Sequence, residues 1–177
     1  MLKINIISGD ITQTTEVVDA IATLVNSGGM WFGGVDGAIK RKYGNWYHSR
    51  LATQIDYPKD GVQASDGKIY IVEGEKNRNH SFKDVIFIID DLNLPLSTLV
   101  FNALEAAEKA GYKRIAMPSM RNGVMAGIVE KNIQEVSEAM KQGVLSFKEK
   151  YPNSALVVDI VIFYDPEAEK FYKQYLI

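Results

Sequence analysis

Across 177 residues, 46% apolar and 24% charged side chains describe an ordinary globular chain, long enough as one domain, 1–177, to bury roughly two thirds or more of its unfolded surface. Twenty basic against 22 acidic side chains leave a net charge of −2, which gives no signal towards nucleic-acid backbone or an anionic membrane. Cysteine is absent, so disulfides, thiolate metal sites and thiol nucleophiles are excluded together.

The chain enters a strand pattern at Ile4 and reaches Gly9-Asp10, too soon for a signal peptide, and no apolar run approaches the ~18 residues of a membrane span. The expectation is a cytoplasmic protein. Strand-like runs fall at 4–7, 21–25, 68–72, 85–89, 114–118 and 156–164, several of them continuous apolar segments that read as central strands covered on both faces. Between the second and third, 38–51 is helical in pattern, and 57–83 is a polar surface excursion around one strand. Leu96, Leu99, Val100, Ala103, Leu104 and Ala107 recur at helical spacing, with Gly111 closing that helix. Val129, Ile133, Val136, Met140 and Val144 form a second apolar stripe, the core side of another helix. Asp165-Pro166 supplies an N-cap and an N1 proline for a last helix with Ala168, Phe171, Tyr172 and Tyr175 inward. Strands alternating with helices predict a three-layer α/β/α sandwich around a sheet of about six strands.

The most informative segment runs from Asp19 to Ile39. An apolar strand ends in Asn26, passes the glycines at 28, 29, 33, 34 and 37, and opens into a helix. Such a junction lets backbone approach a ligand and offers unpaired N–H groups and a positive dipole end to a phosphate. Read alone, it is also compatible with a plain surface turn. The dinucleotide fingerprint G-x-G-x-x-G is absent, because Trp31 and Phe32 stand where its first glycine belongs, and no Walker lysine and hydroxyl pair follows. Asp10 sits at the carboxyl end of the first strand, where it can accept from an exocyclic amine or a ribose hydroxyl, or simply close an Asx turn. The loop 118–127 again puts small residues at a strand-to-helix turn, so two loops at strand carboxyl ends can hold two phosphates of one ligand. Phe163-Tyr164 ends the last strand, where an aromatic can stack on a base.

Gly9-Asp10-Ile11-Thr12, the run from Asp19 to Asn26, Gly33-Gly34-Val35-Asp36-Gly37-Ala38-Ile39 and the loop from Pro118 to Gly127 stand in the order and approximate spacing of the macro domain family's motifs. The chain resembles that family over essentially its whole length. The resemblance implies a mixed central sheet and an ADP-ribose site without cofactor or metal. It implies that Asp10 holds the adenine amine beside the Ile11 backbone, that Tyr164 flanks the ring, and that Asn26 addresses the distal ribose. Gly33, Gly34 and Val35 then take one phosphate, while Arg121, Asn122, Gly123, Val124, Met125 and Ala126 form the second phosphate loop. In hydrolytic members the aspartate matching Asp36 positions or activates a water. Thr23 departs from the family pattern, as do Arg121-Asn122, Met125 and Trp31-Phe32; one of the last two aromatics is placed to close over the distal ribose in place of the residue at 125.

The run Lys40-Arg41-Lys42-Tyr43-Gly44 looks like the divergent branch that cleaves ADP-ribose from proteins or dephosphorylates ADP-ribose 1″-phosphate. Two readings therefore stand: a metal-independent hydrolase using Asp36 and Asn26, or a module that only binds ADP-ribose or its derivatives. A nicotinamide reductase is disfavoured by the missing fingerprint. From the residues themselves, Asp36 can equally cap a helix beginning near Gly37, Arg121 can be a solvated loop charge, and His48 reads as a surface or partly packed side chain. His80 carries no assignment.

Overall fold

The computed structural model describes residues 1–30, 34–76, 78–122 and 126–177. Six strands, β1 (Lys3–Ser8), β2 (Val18–Val25), β3 (Ile69–Val72), β4 (Phe82–Ile89), β5 (Arg114–Pro118) and β6 (Val157–Ile162), form one sheet in the order β1-β6-β5-β2-β4-β3. All neighbours are parallel except β3, which runs antiparallel to β4 at the edge. The sheet is mixed, as expected.

Among the described residues five α-helices cover it: α1 (Gly34–Tyr43), α2 (Trp46–Asp56), α3 (Leu96–Lys109), α4 (Ile133–Lys150) and α5 (Pro166–Leu176). Along β4, Ile86 and Ile88 pack with Leu99 and Val100 of α3 and Met140 of α4, while Val85, Phe87 and Ile89 pack with Ile39 of α1 and Leu51 of α2. Successive side chains point to opposite faces of a strand, so apolar helices on both sides produce the unbroken apolar runs. Fully burying each such Leu, Ile or Phe contributes about 1.5–3 kcal/mol. Among the described residues no helix is long and apolar enough to cross a membrane.

Several element bounds differ from the sequence reading. The single helical stretch expected at 38–51 is two helices, because Gly44 takes φ +69 between them, and the first begins at Gly34. Helix α4 starts after Val129, at Ile133, where the Asn132 side chain accepts from Glu135 N. Its Gly143 permits close packing, since a Cβ there would lie 2.5 Å from Ser97 O of α3.

The α3–α4 contact is fastened at its rim by Glu105, which accepts from Lys150 Nζ at 2.6 Å and Tyr151 Oη at 2.8 Å. These hydrogen bonds outweigh burial and bring its carboxyl down to about 2. A depressed carboxyl contributes stability that is complete above its ordinary value and is lost as pH falls through the folded one. Glu105→Gln should therefore lower the urea midpoint at pH 7, and the gap to the unmutated protein should narrow at pH 3. An equal gap at both pH values would show that the carboxylate's charge contributes nothing.

Candidate functional site

The five parallel strands end on one edge of the sheet, and there the chain leaves a cleft of about 710 Å³. That volume lies in the range of small-molecule sites. The opposite edge is closed by polar pairs: Asp19 accepts from Lys113 N and Arg114 N, and Asp159 from Arg114 Nε.

Asp10 marks one end of the cleft. Its Oδ1 accepts from Thr12 N at 2.9 Å and Thr12 Oγ1 at 2.6 Å, capping a single 3-10 turn at Ile11–Gln13. Its Oδ2 accepts from Lys42 Nζ at 2.7 Å, and Lys42 also donates to Thr12 Oγ1 at 2.8 Å. Burial raises the Asp10 carboxyl, but the bonds from Lys42 and Thr12 together outweigh it and hold the group below the ordinary carboxylate value. An ionised carboxylate offers about four lone-pair positions, so one remains for a ligand donor. Ile11 lines the same end.

Helix α1 forms one wall. Gly34 opens it with φ +61, and a Cβ at that position would meet nothing within 4 Å. Val35 and Asp36 follow on the wall. Asp36 is 4% exposed and lies in the first turn of the helix, not ahead of it as a cap near Gly37. Its Oδ1 stands 2.5 Å from Nε2 of His48, in the first turn of α2. His48 is thus a partly packed side chain, the second of the two readings, and it pairs with Asp36. Along the helix, Asp36 and Lys42 are six residues, about 9 Å, apart, which separates an Asp10–Lys42 end from an Asp36 end.

No family model matches the chain. Over 139 residues, 69% of this chain and 69% of its relative, the sequence is 29% identical to an O-acetyl-ADP-ribose deacetylase of Escherichia fergusonii. The structure is similar to an Oceanobacillus iheyensis macrodomain with ADP, at 23% identity and TM-score 0.77, covering 97% of this chain and 88% of that one. It is also similar to a Trypanosoma brucei macrodomain in complex with ADP-ribose, at 21% identity and TM-score 0.75, covering 97% and 68%. This chain has the macrodomain fold. The resemblance read from its four motifs holds.

Within that macrodomain fold, several residues expected at the ligand sit otherwise. Arg121 is 5% exposed and spends four of its five N–H donors on the protein: Nε and Nη2 on Asp90 at 3.0 and 2.8 Å, Nη2 again on Leu94 O at 2.8 Å, and Nη1 on Glu130 at 2.7 Å. It is neither a solvated loop charge nor a free phosphate cation. Asn26 turns its Oδ1 into its own loop, accepting from Gly28 N at 2.9 Å and Met30 N at 3.1 Å, and among the described residues the β2 end reaches the cleft through Thr23 and Leu24 instead. Asn122 lines the cleft, but its Nδ2 donates to Ser119 Oγ, which also pairs with Tyr172 Oη of α5 at 3.1 Å. Burial pushes the Tyr172 hydroxyl up to about 12, so it serves as a neutral partner.

Ala126 is exposed in a turn and is not among the described lining residues. Among the described residues the aromatic on the wall is Phe163, not Tyr164. Strand β6 ends at Ile162, and Tyr164 takes φ +46, which swings its ring out of the cleft to an edge-on contact with Phe163 at 5.0 Å. Gly33, Gly123, Val124 and Met125, expected at the phosphates, and Trp31 and Phe32, expected near the distal ribose, lie outside the described residues.

The residues that the sequence reading missed are Arg41 and Lys42, the cations of the wall. A signal for them exists. With α1 beginning at Gly34, positions 34, 38, 41 and 42 recur at helical spacing on one face, and all four line the cleft. Among the described residues no group of three or more His, Cys, Asp or Glu side chains is disposed to hold a metal ion.

Proposed function

We propose that this macrodomain binds ADP-ribose in the cleft and hydrolyses a derivative carrying a leaving group on the distal ribose. The observation that carries the reading is Asp36: a buried carboxylate on the wall of a nucleotide-sized cleft, one residue pair from the backbone of Gly34 and Val35. Acidic groups and anions are favoured at a helix N-terminus, and a phosphate at the Gly34–Val35 N–H groups would bring the distal ribose towards Asp36. Asp10 and Lys42 then meet the adenine edge, Asp10 accepting from the amine and Lys42 donating to a ring nitrogen. In the reaction, water adds to the carbon or phosphorus that bears the ribose oxygen, or to the anomeric carbon of a ribosylated protein. Its proton passes to Asp36, and the departing oxygen takes a proton as the bond to it breaks.

The relative named above acts on O-acetyl-ADP-ribose, which joins ADP-ribose 1″-phosphate and mono-ADP-ribosylated protein as a substrate of this type. Calorimetry with ADP-ribose, followed by turnover on those three compounds, tests the reading. Strong preference for ADP-ribose over NADPH is expected; no heat with ADP-ribose would end it. A module that binds without turnover is the second reading, favoured by the commitment of the Asn26 amide oxygen to its own loop. Binding without release of product from any of the three would select it.

Asp10→Ala should weaken ADP-ribose by about 1.5–3 kcal/mol, the range for a hydrogen bond to a charged group. The same titration by calorimetry reads the effect. An unchanged dissociation constant would remove Asp10 from base recognition.

A further inference from the structure

We infer that His48 is a positioning residue for Asp36: as a neutral ring donating through Nε2, it fixes one carboxylate oxygen and leaves the other turned to the cleft. The inference rests on the proposed role of Asp36 at the distal ribose. Three observations carry it. The pair is short, 2.5 Å from Nε2 to Oδ1, and both side chains are almost fully enclosed, at 11% and 5% exposure. The other ring nitrogen, Nδ1, is buried with no hydrogen-bond partner among the described residues. The ring stands edge-on to Phe87 of β4, with centroids 5.6 Å apart and planes at 74°, so an apolar face backs it.

Those facts select one protonation arrangement. A proton on Nδ1, whether in the other tautomer or in the imidazolium, would be a buried donor with nothing among the described residues to receive it, a costlier defect than an unused lone pair. Asp36 lies in the first turn of α1 and His48 in the first turn of α2, so the pair joins the starts of the two helices. His48 is not among the described residues that line the cleft, so it acts on the substrate only through Asp36. It holds Asp36 in one rotamer, as a neutral histidine orients a carboxylate, and leaves Oδ2 as the oxygen able to take a proton from water.

The test uses the whole chain. Imidazole nitrogen shifts of 15N-labelled protein should show His48 protonated at Nε2 and bare at Nδ1 at pH 7, in the absence of any ligand. On whichever of the three ADP-ribose derivatives the unmutated protein hydrolyses, His48→Phe should lower kcat at least 10-fold with KM and the dissociation constant of ADP-ribose changed less than 3-fold. His48→Gln, whose amide nitrogen can replace the Nε2 donor, should recover most of that loss. A proton on Nδ1 at pH 7, or full kcat in a His48→Phe protein that still binds ADP-ribose, would overturn the inference. If the unmutated protein hydrolyses none of the derivatives, the hydrolase reading fails by itself, and the pair is judged on the nitrogen shifts and on loss of the Nε2 signal's protection from exchange in Asp36→Ala.

Discussion

Arg121→Met should lower the unfolding free energy by about 3–5 kcal/mol in urea denaturation, the cost of removing one partner from a buried ion pair. Asp90 and Arg121 are each 1% exposed at the side chain, and Glu130 is 8% exposed, so the substitution strands two carboxylates away from water. Those carboxylates also organise backbone. Asp90 Oδ1 accepts from Leu92 N at 3.0 Å, and Glu130 Oε1 accepts from Leu96 N at 2.9 Å, capping the start of α3, which has no capping side chain at Pro95. The cluster thus ties together the end of β4, the head of α3, the loop after β5 and the approach to α4. Neutralising the acids as well, in Arg121→Met with Asp90→Asn and Glu130→Gln, should restore part of the loss, since replacing a whole buried ionic network is far less costly than breaking it. A loss below 1 kcal/mol in the single variant would mean that water reaches the cluster. If the variant, kept below its melting temperature, still binds ADP-ribose, the diphosphate is held without Arg121.

The layered architecture was legible because its signal is local. Continuous apolar strands between amphipathic helices admit few other arrangements, and β4 reads as a buried strand from the apolar run 85–89. Positions set by long-range partners were not legible. Arg121 lies in a polar loop, and its acids stand 31 residues before it and 9 after, so nothing adjacent marks it as buried. The choice between Phe163 and Tyr164 depends on where β6 stops. Because neighbouring strand residues face opposite ways, an end misplaced by one residue exchanges the aromatic in the cleft for the one outside. The same sensitivity hid Lys42, whose face is defined only once α1 is seen to begin at Gly34. His48 lay in an expected helix, but its meeting with Asp36 requires the break at Gly44 that separates α1 from α2.

Asp36→Ala should cut kcat by roughly 10²–10⁴-fold, the usual worth of a positioned acid–base group, on the ADP-ribose derivative that the unmutated protein hydrolyses. Binding of ADP-ribose should persist and tighten by up to about 1 kcal/mol, because one negative charge leaves the neighbourhood of the diphosphate. The two effects separate chemistry from folding, since a collapsed cleft would lose both. Asn26→Ala provides the contrast. Its amide oxygen closes the turn onto Gly28 N and Met30 N, so its removal should loosen that turn and weaken binding, with kcat at saturating substrate falling much less than in Asp36→Ala. An equal fall in kcat for both variants would show that the Asn26 side chain leaves its turn and enters the cleft when substrate binds. Full activity in Asp36→Ala would exclude its carboxylate from the chemistry and leave activation of the water to the substrate's own phosphates, the one remaining base that a ligand in this cleft would bring with it.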